Sequence, residues 1–162
     1  MNYEQLINNR LNSPHGQLIV FFGQKECGKS FAAKHFFPHI DFLLDDDSVQ
    51  LSFGSKVSLD LSEVTNNHEH GKLIIVDEAQ SVTDDSLIQL LSLVNNQKKV
   101  LLIMQSLQDV VDVGNESSPS SKLLEAFSPH LETTLFVEFL GPIDAINPEI
   151  VSLEELKVRK HL

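Results

Sequence analysis

Eight consecutive residues constrain this chain more than any others. Gly23-Gln24-Lys25-Glu26-Cys27-Gly28-Lys29-Ser30 matches G-x-x-x-x-G-K-[ST] in full. Each fixed position has a physical task. The glycines let the backbone wrap close around a phosphate and aim successive N–H groups inward. Lys29 sets a cation against β- and γ-phosphates, and the Ser30 hydroxyl can ligate Mg2+. A helix opening at this point directs its positive dipole end at the same anion. The motif therefore needs a buried strand before it and a helix after it. Leu18-Ile19-Val20-Phe21-Phe22 is apolar without alternation, as a strand covered on both faces must be. Lys29 to Phe37 carries Phe31, Ala32 and His35 at helical spacing, with Pro38 as its stop. The expected nucleotide-binding residues are Gly23, Gln24, Lys25, Glu26, Cys27, Gly28, Lys29, Ser30 and Phe31. Cys27 is read as a small packing or solvent-facing residue rather than a nucleophile.

Two further apolar runs end in chemistry. Leu73-Ile74-Ile75-Val76 stops at Asp77-Glu78. Beside a phosphate loop, Asp77 is expected to hold the Mg2+ shell with Ser30, and Glu78 to orient and deprotonate an attacking water. Glu directly after the Asp favours ATPases over small GTPases or simple kinases. No N-K-x-D-type guanine-reading segment appears, so ATP is the expected nucleotide. Val100 to Met104 ends in Gln105-Ser106. A polar side chain at the end of a strand lying between the first two can sense the γ-phosphate, with Gln105 the first choice and Ser106 the second. The catalytic set is thus Glu78, Lys29 and Gln105.

The remaining chain fills in the layers. Thr83 can cap a helix whose first turn holds Asp84 and Asp85, and Leu87, Leu90, Leu91 and Val94 fall on one face of it. A second strand is expected over Ile40–Leu44, a short helix over Lys122–Phe127 and a last strand over Thr134–Phe139. Val49 to Leu61 alternates around Gly54-Ser55, compatible with a hairpin or with one strand and a loop. Buried strands separated by helices predict an α/β fold, three-layered around a central parallel five-stranded sheet. Residues 1–141 would form this domain and 142–162 a short C-terminal helical tail.

Composition narrows the function classes. With 41% apolar and 22% charged residues in 162, the chain can build a core, and its length fits one domain. Twelve Lys+Arg against 23 Asp+Glu give a net charge of −11, which disfavours broad adhesion to DNA or anionic membrane. One cysteine excludes an internal disulfide framework. No cationic leader with an apolar stretch and no long apolar run appears, so a cytoplasmic location is expected. His68-Glu69-His70 and Asp45-Asp46-Asp47 read as solvated loops, and Lys98-Lys99 as the soluble flank of a strand.

The ordered motifs resemble AAA+ ATPases, most closely bacterial clamp-loader subunits and the DnaA/Hda initiator group. The likeness runs from about Leu18 to Phe139, through the phosphate loop, Lys72-Leu73-Ile74-Ile75-Val76-Asp77-Glu78-Ala79, the Thr83-capped helix with Leu90-Leu91, Val100–Ser106, and Leu123-Leu124-Glu125-Ala126-Phe127-Ser128-Pro129-His130-Leu131. In the family that last segment ends in an Arg that reaches a neighbouring subunit's ATP site. Here Pro129-His130 stands in its place, and a neutral imidazole cannot supply a permanent planar cation. The family's helical lid is expected to be truncated or absent, with Arg159 a candidate for its nucleotide-sensing arginine.

The resemblance implies an ATP-binding protein with weak or partner-dependent hydrolysis. It would act through protein partners in DNA replication or its regulation, in a homo- or hetero-oligomer, with little direct DNA contact. Two alternatives stand beside it: a DNA-translocation or packaging ATPase of the FtsK/HerA kind, and a non-catalytic adaptor that nucleotide merely stabilises. A DExx-box helicase fits Asp77-Glu78-Ala79-Gln80 but would need a second motor domain.

Overall fold

A computed structural model of the chain describes residues 3–24, 28–33, 39–42, 73–79, 82–105, 126–140 and 147–160. In chain order its elements are α1 (Tyr3–Leu11), β1 (Gln17–Phe22), α2 (Lys29–Ala33), β2 (His39–Phe42), β3 (Leu73–Val76), α3 (Asp84–Asn95) and β4 (Lys99–Met104). A 3-10 turn (Ser128–His130), β5 (Leu135–Leu140), β6 (Asn147–Val151) and α4 (Leu153–Lys160) follow. The strands form one sheet in the order β2-β3-β4-β1-β5-β6. The first five are parallel, and β6 runs antiparallel to β5.

The apolar runs behave as their lack of alternation requires. Leu18, Val20 and Phe22 of β1 face one side with Ile74, Val76, Val100, Leu102 and Phe136. There they meet Leu87, Leu90, Leu91 and Val94 of α3 and Leu156 of α4. Ile19 and Phe21 face the other side with Ile75, Leu101, Ile103, Val137 and Phe139, under Ile7 and Leu11 of α1 and Ala32 and Ala33 of α2. Helices thus cover both faces of a parallel sheet, the three-layer α/β arrangement that the sequence predicts. Tyr3 closes the second face edge-on, its ring centroid 6.5 Å from Phe21 and 6.2 Å from Phe139.

Local chemistry explains the boundaries of α3. The Thr83 hydroxyl accepts from the Ser86 N–H at 3.3 Å, and Asp84 and Asp85 sit in the positive first turn. At the other end the Gln97 N–H donates to Val94 O and the Lys98 N–H to Leu93 O, a Schellman closure. Gln97 takes the left-handed position with φ 68°. Gly16 passes this corner so closely that a Cβ on it would lie 1.7 Å from the Val94 carbonyl oxygen.

Two expectations from the sequence change. Residues 142–162 contain the expected helix but also supply the sheet's sixth strand, which the pattern conceals because Pro148 and Glu149 interrupt it. An edge strand tolerates proline, and here Pro148 pairs with Phe139. Lys99 is no solvated flank: it opens β4, is 3% exposed, and its ammonium donates to Ser13 O at 2.7 Å. Burial holds that ammonium below the ordinary lysine pKa. The expected second strand lies at His39–Phe42. Residues 49–61, 45–47, 68–70 and 122–125 lie outside the described residues.

Candidate nucleotide site

The C-terminal ends of β1, β3 and β4 lie side by side, and each releases a residue singled out in the sequence. Phe22 pairs with Met104 and Leu102 with Val76, so Gly23, Gln105 and Asp77 emerge at one edge of the sheet. β4 sits between β1 and β3, as a γ-phosphate-sensing residue at Gln105 requires.

The loop leaves β1 with Gly23 at φ 146° and re-enters helix after Gly28 at φ 89°. Both conformations are costly for a residue with a Cβ, so the motif's two glycines are demanded by the path of the backbone. Lys29 is buried, and its ammonium donates to the carbonyl oxygens of Gly23 and, at 2.7 Å, of Gln24. The cation is thereby held against its own loop. Lys25, Glu26 and Cys27 lie outside the described residues, as does Ser106.

Ser30 and Asp77 meet across the site. The Ser30 hydroxyl donates to Asp77 Oδ2 at 2.5 Å, and Asp77 is 3% exposed. Two hard oxygens converging on one point, one of them a carboxylate, suit Mg2+. Bound there, Mg2+ would neutralise phosphate charge, and Ser30 and Asp77 would hold it. The other Asp77 oxygen, Oδ1, accepts from the Glu78 N–H at 2.8 Å.

That bond accompanies a backbone feature with no sequence signature. Glu78 has φ 53°, the left-handed region that a glutamate seldom enters. A residue held there stores roughly 1–3 kcal/mol of strain, and such strain concentrates at functional sites. Its half-buried carboxylate belongs to the same edge, where it can orient and deprotonate a water near a terminal phosphate. Lys29, once drawn from the Gly23 and Gln24 carbonyls, would bring the opposing positive charge to phosphate oxygens.

His130 sits elsewhere. It ends the turn before β5, at the opposite end of the sheet from the phosphate loop, because β5 and β1 are parallel. It is 8% exposed, its carbonyl accepts from the Thr133 and Thr134 hydroxyls, and burial lowers its imidazole pKa, favouring the neutral form. Arg159 lies in α4, with its side chain outside the described residues. Among the described residues no group of three His, Cys, Asp or Glu side chains gathers for a metal, and no helix is long and apolar enough to cross a membrane.

No protein-family profile matches the sequence, and no curated protein matches it either. Among solved structures the chain is similar to the P-loop NTPase domain of the sigma-54 transport activator from E. coli, with 11% identity and a TM-score of 0.39. The match covers 84% of this chain and 96% of that one.

Proposed function

We propose that the chain binds Mg2+–ATP as an AAA+-like protein and hydrolyses it weakly or only with a partner. The single observation that carries the reading is the Ser30–Asp77 hydrogen bond, which joins the phosphate loop to the end of β3 beside Glu78. The weak-hydrolysis part of the reading is supported by His130, a buried, neutral-leaning group where the resembling family places an arginine that reaches a neighbouring subunit's ATP site. A net charge of −11 favours protein partners over DNA as the surface addressed. A role in DNA replication or its regulation rests on the resemblance to the clamp-loader and DnaA/Hda groups.

The test is thermal unfolding with and without Mg2+–ATP, alongside Lys29→Ala. A ligand confined to the folded state adds RT ln(1 + [L]/Kd), about 2.7 kcal/mol at 100 times Kd. A rise in Tm that Lys29→Ala abolishes supports nucleotide binding; no rise at millimolar ATP overturns the reading and means that the loop no longer holds nucleotide. A second reading, a ring-forming DNA motor of the FtsK/HerA kind, rests on the residue type at Gln105, often glutamine in that group. That reading requires ATP-dependent assembly, so a chain that stays monomeric with ATP excludes it.

A further inference from the structure

Resting on the nucleotide-site reading above, we propose that Phe31 is a stacking platform for the base of the bound nucleotide. Phe31 is 70% exposed, more than Leu140, Ile150 or Val158, the other large apolar side chains that reach solvent among the described residues. Its neighbours Ala32 and Ala33 fill the helix face against the sheet, so Phe31 contributes to neither core cluster. Folding alone gains nothing from an aromatic ring at this position.

Its place in the chain supplies the reason. Phe31 directly follows Ser30, in the first turn of α2. The γ end of a triphosphate belongs with Asp77 and Glu78 at the end of β3, so the α-phosphate, ribose and base extend away from that end, out of the loop and past the start of α2. A flat apolar ring there offers a face that any base can cover, and a purine covers more of it than a pyrimidine. The ring needs no hydrogen-bonding partner for this role, and covering it removes exposed apolar surface from water.

The experiment compares Mg2+–ATP with inorganic tripolyphosphate as ligands of the native chain, Phe31→Ala and Phe31→Trp. Phe31→Ala should weaken ATP roughly tenfold or more, leave tripolyphosphate unchanged, and leave the Tm of the ligand-free chain unchanged. Phe31→Trp should keep ATP affinity. Because the native chain has no Trp, the indole emission of Phe31→Trp should respond to ATP and stay unchanged with tripolyphosphate. Equal loss for both ligands in Phe31→Ala overturns the proposal. So does unchanged ATP affinity in Phe31→Ala together with an indole emission in Phe31→Trp that ignores ATP. If the native chain binds neither ligand, the phosphate-site reading fails as well.

Discussion

Ser30 and Asp77, on different elements and far apart in the chain, share one hydrogen bond of 2.5 Å from hydroxyl to carboxylate. The bond holds two oxygens at the separation a small divalent cation would part. Asp77→Asn keeps the shape and a hydrogen-bond acceptor but removes the charge. It should therefore erase the difference between ATP with Mg2+ and ATP with EDTA in a thermal-shift assay. Retention of the Mg2+-dependent increment would exclude Asp77 from the cation's shell.

Glu78 invites a pair of substitutions that separate chemistry from strain. Glu78→Gln should bind ATP as the native chain does while reducing any turnover by about 100-fold or more. Glu78→Ala and Glu78→Gly both remove the carboxylate, but only glycine is at ease at φ 53°. Glu78→Gly should accordingly be the more stable of the two by about 1 kcal/mol in chemical denaturation. Equal stabilities would mean that no strain is stored there.

Gln97 occupies a helix-closing position with φ 68°, where the Schellman geometry favours glycine. Gln97→Gly should raise stability by about 0.5–1 kcal/mol, read as a shift in denaturant midpoint with unchanged slope. The nearby Gly16 works in the opposite sense. Gly16→Ala drives a methyl into the Val94 carbonyl and should cost several kcal/mol or prevent folding.

His130 gives the fold an acid-side dependence. Its folded-state pKa lies below the unfolded value of about 6.5. The unfolded chain therefore takes up the proton first, and stability contributed by the neutral ring is full above pH 6.5. That contribution falls as pH drops from 6.5 toward the folded pKa. His130→Leu should flatten the Tm loss between pH 7 and pH 5 relative to the native chain; parallel curves would contradict the assignment.

The sequence exposes what depends on local pattern. Leu18–Phe22, Leu73–Val76 and Val100–Met104 are covered on both faces, and uninterrupted apolar runs report that directly. The Thr83 cap and the apolar stripe of α3 follow from side-chain chemistry within a few residues. The phosphate loop is legible because its geometry restricts residue types at fixed positions. β6 is hidden because its pairing with β5, not its composition, makes it a strand. Lys99 misleads because the carbonyl that caps its ammonium comes from Ser13, far along the chain from any local signal. The left-handed backbone of Glu78 is invisible for a related cause: glutamate carries no preference that announces it, and the Asp77 carboxylate accompanies it only once folded.

The central position of β1 has a temporal consequence. Its hydrogen-bonding neighbours are β4 and β5, both encoded long after it. A nascent chain lengthening at about 5–20 residues per second must therefore carry an unpaired, strongly apolar Leu18–Phe22 for several seconds before Lys99 is even made. Closing such a distant parallel pairing is intrinsically slow. The phosphate loop, suspended from the end of that strand, becomes competent only once the second half of the polypeptide has arrived, so a truncated product retains the motif without the means to use it.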